Sequence, residues 1–521
     1  MAESREYLLV LDVGTGSGRA ILFNLSGELI GFKGREWQHS ADPNYQGALD
    51  FNVEANWLSL EHSIREVMAK AAVAATEVKA ISITSMRHGM VCYDDKGSAI
   101  AAFPNADARA EAEVKWLIST GLAKRIYKIG GDWPSVHDVA RLLWLKKNKP
   151  DLFGKIDRFT MLEGWPIVKL CGTYVTDPSS ASSSGLFDVV RRSWSDEIIK
   201  ACHLPIGIFP EVMDAGNKVG VLRREIAQEL GLSAGTPVIM AGGDTQCGLL
   251  GSGVVEDGQA GVVAGTFWLD CVVLSEAIID DRFELRTSCH IVPGKWIFEG
   301  VSFVGMFTRW FRDALCSEEK QRAIREGKDA YKILDEEAAE VPPGAYGIQV
   351  CMSNIFNASN WVHTAPMFLN WDVWDTTKSA KEVFYRALLE NVAYQTRGEF
   401  KNILRLAETS LSEVVFCGGA AKSKLWSQVL ADVLGAVIRV PRVNEATALG
   451  AAICAAAGID QYANISAAAK AMVKVEEAFA PNLENASVYG RMYDQWRKIY
   501  EHMLVLSKDG ILKPLWKVAG T

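Results

Sequence analysis

Leu8-Leu-Val-Leu-Asp12-Val-Gly-Thr-Gly-Ser-Gly-Arg19-Ala-Ile-Leu-Phe23 is the stretch on which the reading of the fold turns. An apolar run ends in a carboxylate, glycines and hydroxyls crowd the next positions, and a second apolar run returns at once. The pattern predicts a strand, a tight turn and an antiparallel strand. Gly14 and Gly16 allow backbone N–H groups to converge on an anion with no Cβ in the way, and Thr15 and Ser17 add hydroxyl donors. Asp12 is placed to hold a hydrated magnesium ion. The bland alternative is a hairpin turn that does nothing except reverse the chain. Neither of the two best-known phosphate fingerprints fits. Gly-x-x-x-x-Gly-Lys-Ser/Thr is absent, and Arg19 stands where Gly-x-Gly-x-x-Gly needs its last glycine. A phosphate cradle in a β-hairpin points to the actin-like ATPase architecture.

Composition sets outer bounds. The chain has 521 residues, 49% apolar and 23% charged, enough for two or three domains with large cores. The net charge of −8 argues against a general nucleic-acid binder, which would carry a basic face. The first residues carry no secretory signal and no apolar stretch is long enough to span a bilayer. The ten cysteines are scattered singly, with no Cys-x-x-Cys, and read as reduced core residues. A cytoplasmic protein with no membrane association is expected, monomeric or homodimeric.

Strands are expected at Leu8–Asp12, Arg19–Asn24, Leu29–Lys33, Ala80–Thr84 and Val238–Ala241, and helices at Trp57–Ala71, Ala108–Ser119 and Val139–Lys147. Further on, Gly261–Thr266 and Asp270–Ser275 repeat the opening grammar with Gly265-Thr266 at the bend, about 250 residues after the first hairpin. Two such hairpins suggest a duplicated fold with one on each side of a cleft; two unrelated hairpins are the alternative. The boundary is placed in the glycine cluster near 251–258, giving domains 1–253 and 254–521.

Four constellations carry chemistry. Gly242-Gly243-Asp244-Thr245-Gln246 follows a buried strand, and Asp244 is the candidate general base, able to orient a hydroxyl and accept its proton; a helix cap is the alternative. Ser85-Met86-Arg87-His88-Gly89 closes another strand, where Arg87 and His88 can donate to oxygens of a small polar substrate. Asn105-Ala-Asp107-Ala-Arg109 is a similar polar cluster, with Asp107 equally suited to cap the next helix. Phe416-Cys-Gly-Gly-Ala-Ala-Lys-Ser-Lys-Leu-Trp426 reads as strand, glycine turn and helix, and Gly418 and Gly419 permit a flat adenine or ribose to lie close. Glu445-Ala-Thr-Ala-Leu-Gly450 opens a small-residue helix expected to pack beside that turn.

Together with the serine-rich segment Asp177-Pro-Ser-Ser-Ala-Ser182, these stretches resemble the FGGY carbohydrate kinases over essentially the whole chain. The resemblance implies an α/β fold of two ribonuclease-H-like domains of the actin and hexokinase kind, with mixed five-stranded sheets flanked by helices, closing on ATP, Mg2+ and a sugar or polyol. It makes Asp244 the catalytic base and puts Asp12 and Asp244 on the metal side. Gly14, Thr15, Gly16, Ser17, Arg19, Gly265 and Thr266 would face the phosphates, and Gly418, Gly419, Ala420 and Lys422 the nucleoside. Arg87, His88, Asp107, Arg109, Asp244 and Gln246 would contact the substrate. The chain departs from the family pattern at Arg141, where Lys is usual three residues before Trp144, and at Met86-Arg-His-Gly89, where many pentulose kinases read Gln-Met-His-Gly. Trp310–Lys320, Val341–Gly347, Asn105–Arg109 and Leu515-Trp-Lys517 look like the autoinducer-2 kinases of this family, which phosphorylate a linear dihydroxy-dione at a terminal hydroxyl. Pentulose or polyol kinases are the alternative, and an actin-like ATPase whose cycle drives partner binding is a third.

Overall fold

The opening stretch forms β1 (Tyr7–Val13) and β2 (Ser17–Asn24), antiparallel and in register from Tyr7 opposite Asn24 to Val13 opposite Gly18. The computed structural model describes residues 5–265, 267–442 and 445–515. The N-terminal sheet adds β3 (Leu29–Glu36) and β4 (Val78–Ser85), then, after a small three-stranded sheet of β5 (Met90–Tyr93), β6 (Ala99–Phe103) and β7 (Arg158–Met161), β8 (Lys218–Val221) and β9 (Pro237–Gly243). Its order is β8-β9-β4-β1-β2-β3, with β1, β4 and β9 parallel.

The C-terminal sheet holds β10 (Ala260–Ala264), β11 (Phe267–Leu274), β12 (Arg286–Cys289), β13 (Trp296–Phe303), β14 (Glu413–Gly418), β15 (Val437–Pro441) and β16 (Val475–Phe479), in the order β12-β13-β11-β10-β14-β15-β16. β10 pairs antiparallel with β11 and parallel with β14, as β1 pairs with β2 and β4. The same five-stranded core occurs twice, extended by one edge strand in the first sheet and two in the second. The second hairpin differs from expectation at one end, since its return strand begins at Phe267.

Side chains alternate across a strand, so each sheet needs cover on both faces. Leu9, Leu11, Ala20 and Leu22 pack under α1 (Val53–Ala71), whose Trp57, Leu60, Ile64 and Val67 recur at helical spacing. Burying four such side chains contributes roughly 1.5–3 kcal/mol each. Asn52 starts α1 by accepting the Ala55 N–H, and Ala72 ends it in the left-handed region. The following helices used here are α2 (Asp138–Asn148), α3 (Asp244–Gly251) and, late in the chain, α4 (Ala446–Gly458).

Leu8, Val10, Ile21 and Phe23, on the other face, pack against α4. The Glu445–Gly450 helix therefore covers the N-terminal sheet and α3, a correction to the expectation that it lies beside the Gly418 turn. Glycine makes that contact possible. A Cβ on Gly450 would fall 1.9 Å from the Cys247 carbonyl oxygen, and one on Gly251 the same distance from that of Ala446, so α3 and α4 cross backbone on backbone. Among the described residues no helix is long and apolar enough to cross a membrane.

Candidate active site

The parallel strands β1, β4 and β9 end side by side: Asp12 is level with Thr84, and Ser85 with both Val13 and Gly243. Asp12, Arg87 and Asp244 thus emerge from neighbouring strand ends, where an α/β sheet presents its ligand crevice. Asp244 opens α3 and accepts from the Thr245 N–H at 2.7 Å. Burial raises its pKa to about 6; the Arg87 charge opposes the rise and Asp12 adds to it. It is ionised at neutral pH and still basic enough to take a proton. Its backbone is fixed from two directions. Thr447 of α4 donates to the Asp244 carbonyl at 3.2 Å, and the Gly243 N–H donates to Ser179 Oγ at 3.0 Å. Ser179 is held by Asp177, which caps Pro178–Ala181, so the serine-rich segment serves as the buttress of the turn that carries Asp244.

Arg87 and His88 both belong to this corner. The Arg87 guanidinium donates to Glu299 Oε1 at 2.7 Å. Arg286 lies 3.5 Å from the same oxygen and 2.7 Å from Asp132, and Asp132 lies 3.0 Å from His137 Nε2. The His137 ring meets the His88 ring edge to face at 4.8 Å, which closes a circuit of six residues that crosses between the two sheets twice. Burial, reinforced by His137 and Arg87, holds the His88 pKa well below the usual imidazole value, so its ring is neutral. His88 has φ of +59°, a left-handed conformation costly for a residue with a side chain. Its N–H donates to Ser183 Oγ, and its carbonyl accepts from Arg141. Arg141 is buried and also bonds Asp138, Asp107 and the Pro104 carbonyl. A lysine could not make this fan of planar contacts, which gives the departure at Arg141 a physical reason.

The Gly14–Ser17 loop is tight. The Gly14 N–H donates to the Ser17 carbonyl and the Trp37 indole to the Gly14 carbonyl, at 3.0 and 2.7 Å. Trp37 also fills the space a Cβ would take at Gly18, 1.9 Å from its ring. Thr15 and Gly16 are exposed, and Ser17 is half-buried as the first residue of β2. Arg19 pairs with Asp12 at 2.5 Å and with Glu445, at the start of α4, at 2.6 Å. In the C-terminal sheet, Ala264 is level with Gly418, which sets the Gly265 and Gly418 turns beside each other. Gly418 has φ of +97°, and a Cβ there would lie 2.1 Å from the Ala264 carbonyl oxygen, whereas Gly419 faces open space. Ala420 is half-buried and Lys422 exposed. Thr266 lies outside the described residues.

Two expected substrate ligands are placed otherwise. Asp107 accepts from the Leu49 N–H, Arg109 and Arg141 and does not cap a helix. Arg109 is spent on Asp107, Asp50 and the Leu49 carbonyl, over the Phe103 and Trp144 rings. These pairs brace the loop carrying Asn105, whose amide donates to Thr15 Oγ1 at 2.9 Å. Sequence reasoning missed Asp132, His137, Arg286 and Glu299. Glu299 left one trace, the only charged residue of the mostly apolar strand Trp296–Phe303.

Two oxygen-bearing carboxylates, Asp12 and Asp244, fit a hard divalent ion that also needs phosphate oxygens and water. Among the described residues no three His, Cys, Asp or Glu side chains form a self-sufficient cage.

Comparison with known proteins completes the picture. A family model described as the N-terminal domain of the FGGY family of carbohydrate kinases matches residues 7–251, and the corresponding C-terminal domain matches 263–459. The chain is 39% identical to the autoinducer-2 kinase of Salmonella paratyphi B over 522 residues, 99% of this chain and 98% of that one. It is 40% identical to that of Yersinia enterocolitica over 521 residues, with the same coverage. Among solved structures, xylulose kinase from Rhodospirillum rubrum superposes with a TM-score of 0.83 at 23% identity, covering 96% of this chain and 99% of that one. Plasmodium falciparum glycerol kinase with ADP superposes with 0.83 at 19% identity, covering 96% and 98%.

Proposed function

The chain belongs to the FGGY family of carbohydrate kinases and is an ATP-dependent sugar kinase, and from that premise we propose that it phosphorylates a terminal hydroxyl of a small linear acceptor, first among them the dihydroxypentanedione form of autoinducer-2. Similarity at 39% over 99% of the chain to kinases named for that substrate supports the acceptor. The observation that carries the chemistry is the convergence of Asp244, Arg87 and Gln246 on Gly243. A Cβ on that glycine would lie 2.7 Å from Gln246 Oε1 and 3.2 Å from Arg87 Cγ. Gly243 has to be bare because Arg87 and Gln246 already occupy the space beside it, and that packing holds both side chains next to Asp244.

In this reading Asp244 aligns the acceptor hydroxyl with the γ-phosphorus and takes its proton as the new P–O bond forms, while the bond to the ADP oxygen breaks. Arg87 and the neutral His88 hold the acceptor's oxygens. Backbone N–H groups of Thr15 and Gly16 orient the phosphates, with Arg19 held beside them by Asp12 and Glu445, and the turn at Gly418–Lys422 borders the nucleoside. When bound, Mg2+ would be held by Asp12 and Asp244 and would supply neutralisation of phosphate charge. Residues 1–253 carry the acceptor side and 254–521 the nucleotide side, in a cytoplasmic enzyme.

The test is ADP release by the full chain with a panel of dihydroxypentanedione, xylulose, ribulose, glycerol and erythritol. The highest kcat/KM is expected with dihydroxypentanedione. A pentulose or polyol at the top of the panel replaces the acceptor, and a slow basal rate that no acceptor stimulates favours an ATPase cycle.

A further inference from the structure

Glu299 lies mid-strand in β13 with its side chain wholly buried. Arg87 bonds its Oε1 at 2.7 Å, while Oε2 is buried and accepts from no donor among the described residues. A buried acceptor left bare carries a desolvation penalty, and at a ligand site it marks where the ligand's donor sits. Gln246 repeats the pattern. Its Nε2 donates to Ser288 Oγ at 3.2 Å, and its buried Oε1 has no donor among the described residues. Ser288 and Arg286 share strand β12, next to β13. Two bare acceptors therefore lie with Arg87 in one corner, and the charge of Arg87 is already balanced by Glu299, as that of Arg286 is by Asp132.

From this arrangement, and resting on the kinase reading above, we infer that Glu299 is a specificity-determining residue of the acceptor site: with Gln246 it receives hydroxyl protons of a neutral polyhydroxy or hydroxyketone acceptor, and it excludes sugar acids. An acid would need an uncommitted cation. Here its carboxylate would meet Glu299 Oε2, and like-charge juxtaposition without a free partner is a strong discriminator. A neutral acceptor instead satisfies both bare oxygens and leaves the Arg87–Glu299 pair in place.

The experiment compares the full chain with Glu299→Gln, measuring kcat and KM for the neutral panel above and for gluconate and glycerate. Glutamine keeps the shape and still accepts from Arg87 but removes the charge. The expected result is a parental preference for neutral acceptors, a rise in their KM of about tenfold to a hundredfold in the variant, and a neutral-to-acid ratio that shrinks by at least as much. KM for ATP stays unchanged. An unchanged ratio, or a parental enzyme that prefers acids, overturns the inference and leaves the kinase reading standing. Turnover of no acceptor overturns both. If Glu299→Gln does not fold, Gln246→Leu decides: KM for neutral acceptors must rise about tenfold with the melting temperature kept, and an unchanged KM overturns the inference.

Discussion

The two sheets share a core topology and differ in what stands at the ends of their parallel strands. In the N-terminal sheet β1, β4 and β9 end in side-chain chemistry: Asp12, Arg87 and Asp244. In the C-terminal sheet β10 and β14 end in bare backbone at Gly265 and Gly418. On the function proposed above, one architecture serves two tasks. Proton transfer and acceptor recognition need titratable and charged side chains, whereas a nucleotide is held by N–H groups and needs side chains out of the way. The inference about Glu299 crosses this division, since a residue of the second sheet completes the site at the ends of the first.

The largest effect that sharpens the contrast is at Asp244. Asp244→Asn is expected to lower kcat by about 10²–10⁴-fold while ATP affinity, measured by calorimetry, stays nearly parental. Near-parental turnover would remove side-chain catalysis from the N-terminal strand ends. Asp244 should also impose a pH dependence, because its proton must be gone before it can act. The kcat/KM profile is expected to fall as pH drops through about 6. The sign for stability is opposite. A carboxyl whose pKa rises on folding costs stability once it ionises, so Asp244→Asn should raise the melting temperature at pH 8 and not at pH 4.

Gly418→Ala is the next perturbation, and it acts on the backbone side. The left-handed φ and the 2.1 Å approach to the Ala264 carbonyl leave no place for a Cβ. A loss of about 2–4 kcal/mol in unfolding free energy is expected, together with weaker ATP binding. Full stability in a denaturant titration would contradict the geometry of that turn. The smallest effect is at Gly419, where a Cβ meets nothing. Gly419→Ala should leave stability within about 0.5 kcal/mol. It should still raise KM for ATP several-fold if the nucleoside lies against that face. An unchanged KM would move the nucleoside elsewhere.

Much of this was legible in the chain because it is local. The strand and glycine spacing of residues 8–23 and 260–274 encodes two hairpins, since side-chain period and turn chemistry act over a few residues. Asp244, Arg87 and Gly418 were legible because each sits where a strand stops. The internal partners of Asp107 and Arg109 were not legible, because an isolated polar cluster looks the same whether it faces a ligand or its own neighbours. In the fold Asp107 meets Arg141, 34 residues along the chain. The packing of α4 was misplaced for a related reason: small residues announce a close approach without naming the partner.

By itself the sequence determined the duplicated α/β architecture, the glycine hairpin at 13–18 and the place of Asp244 after a buried strand, all products of short-range pattern. The tertiary structure alone decided the company those residues keep. Glu299 reaches Arg87 across 212 residues of chain and Arg19 reaches Glu445 across 426, contacts that exist only because the packed fold brings remote segments to one place.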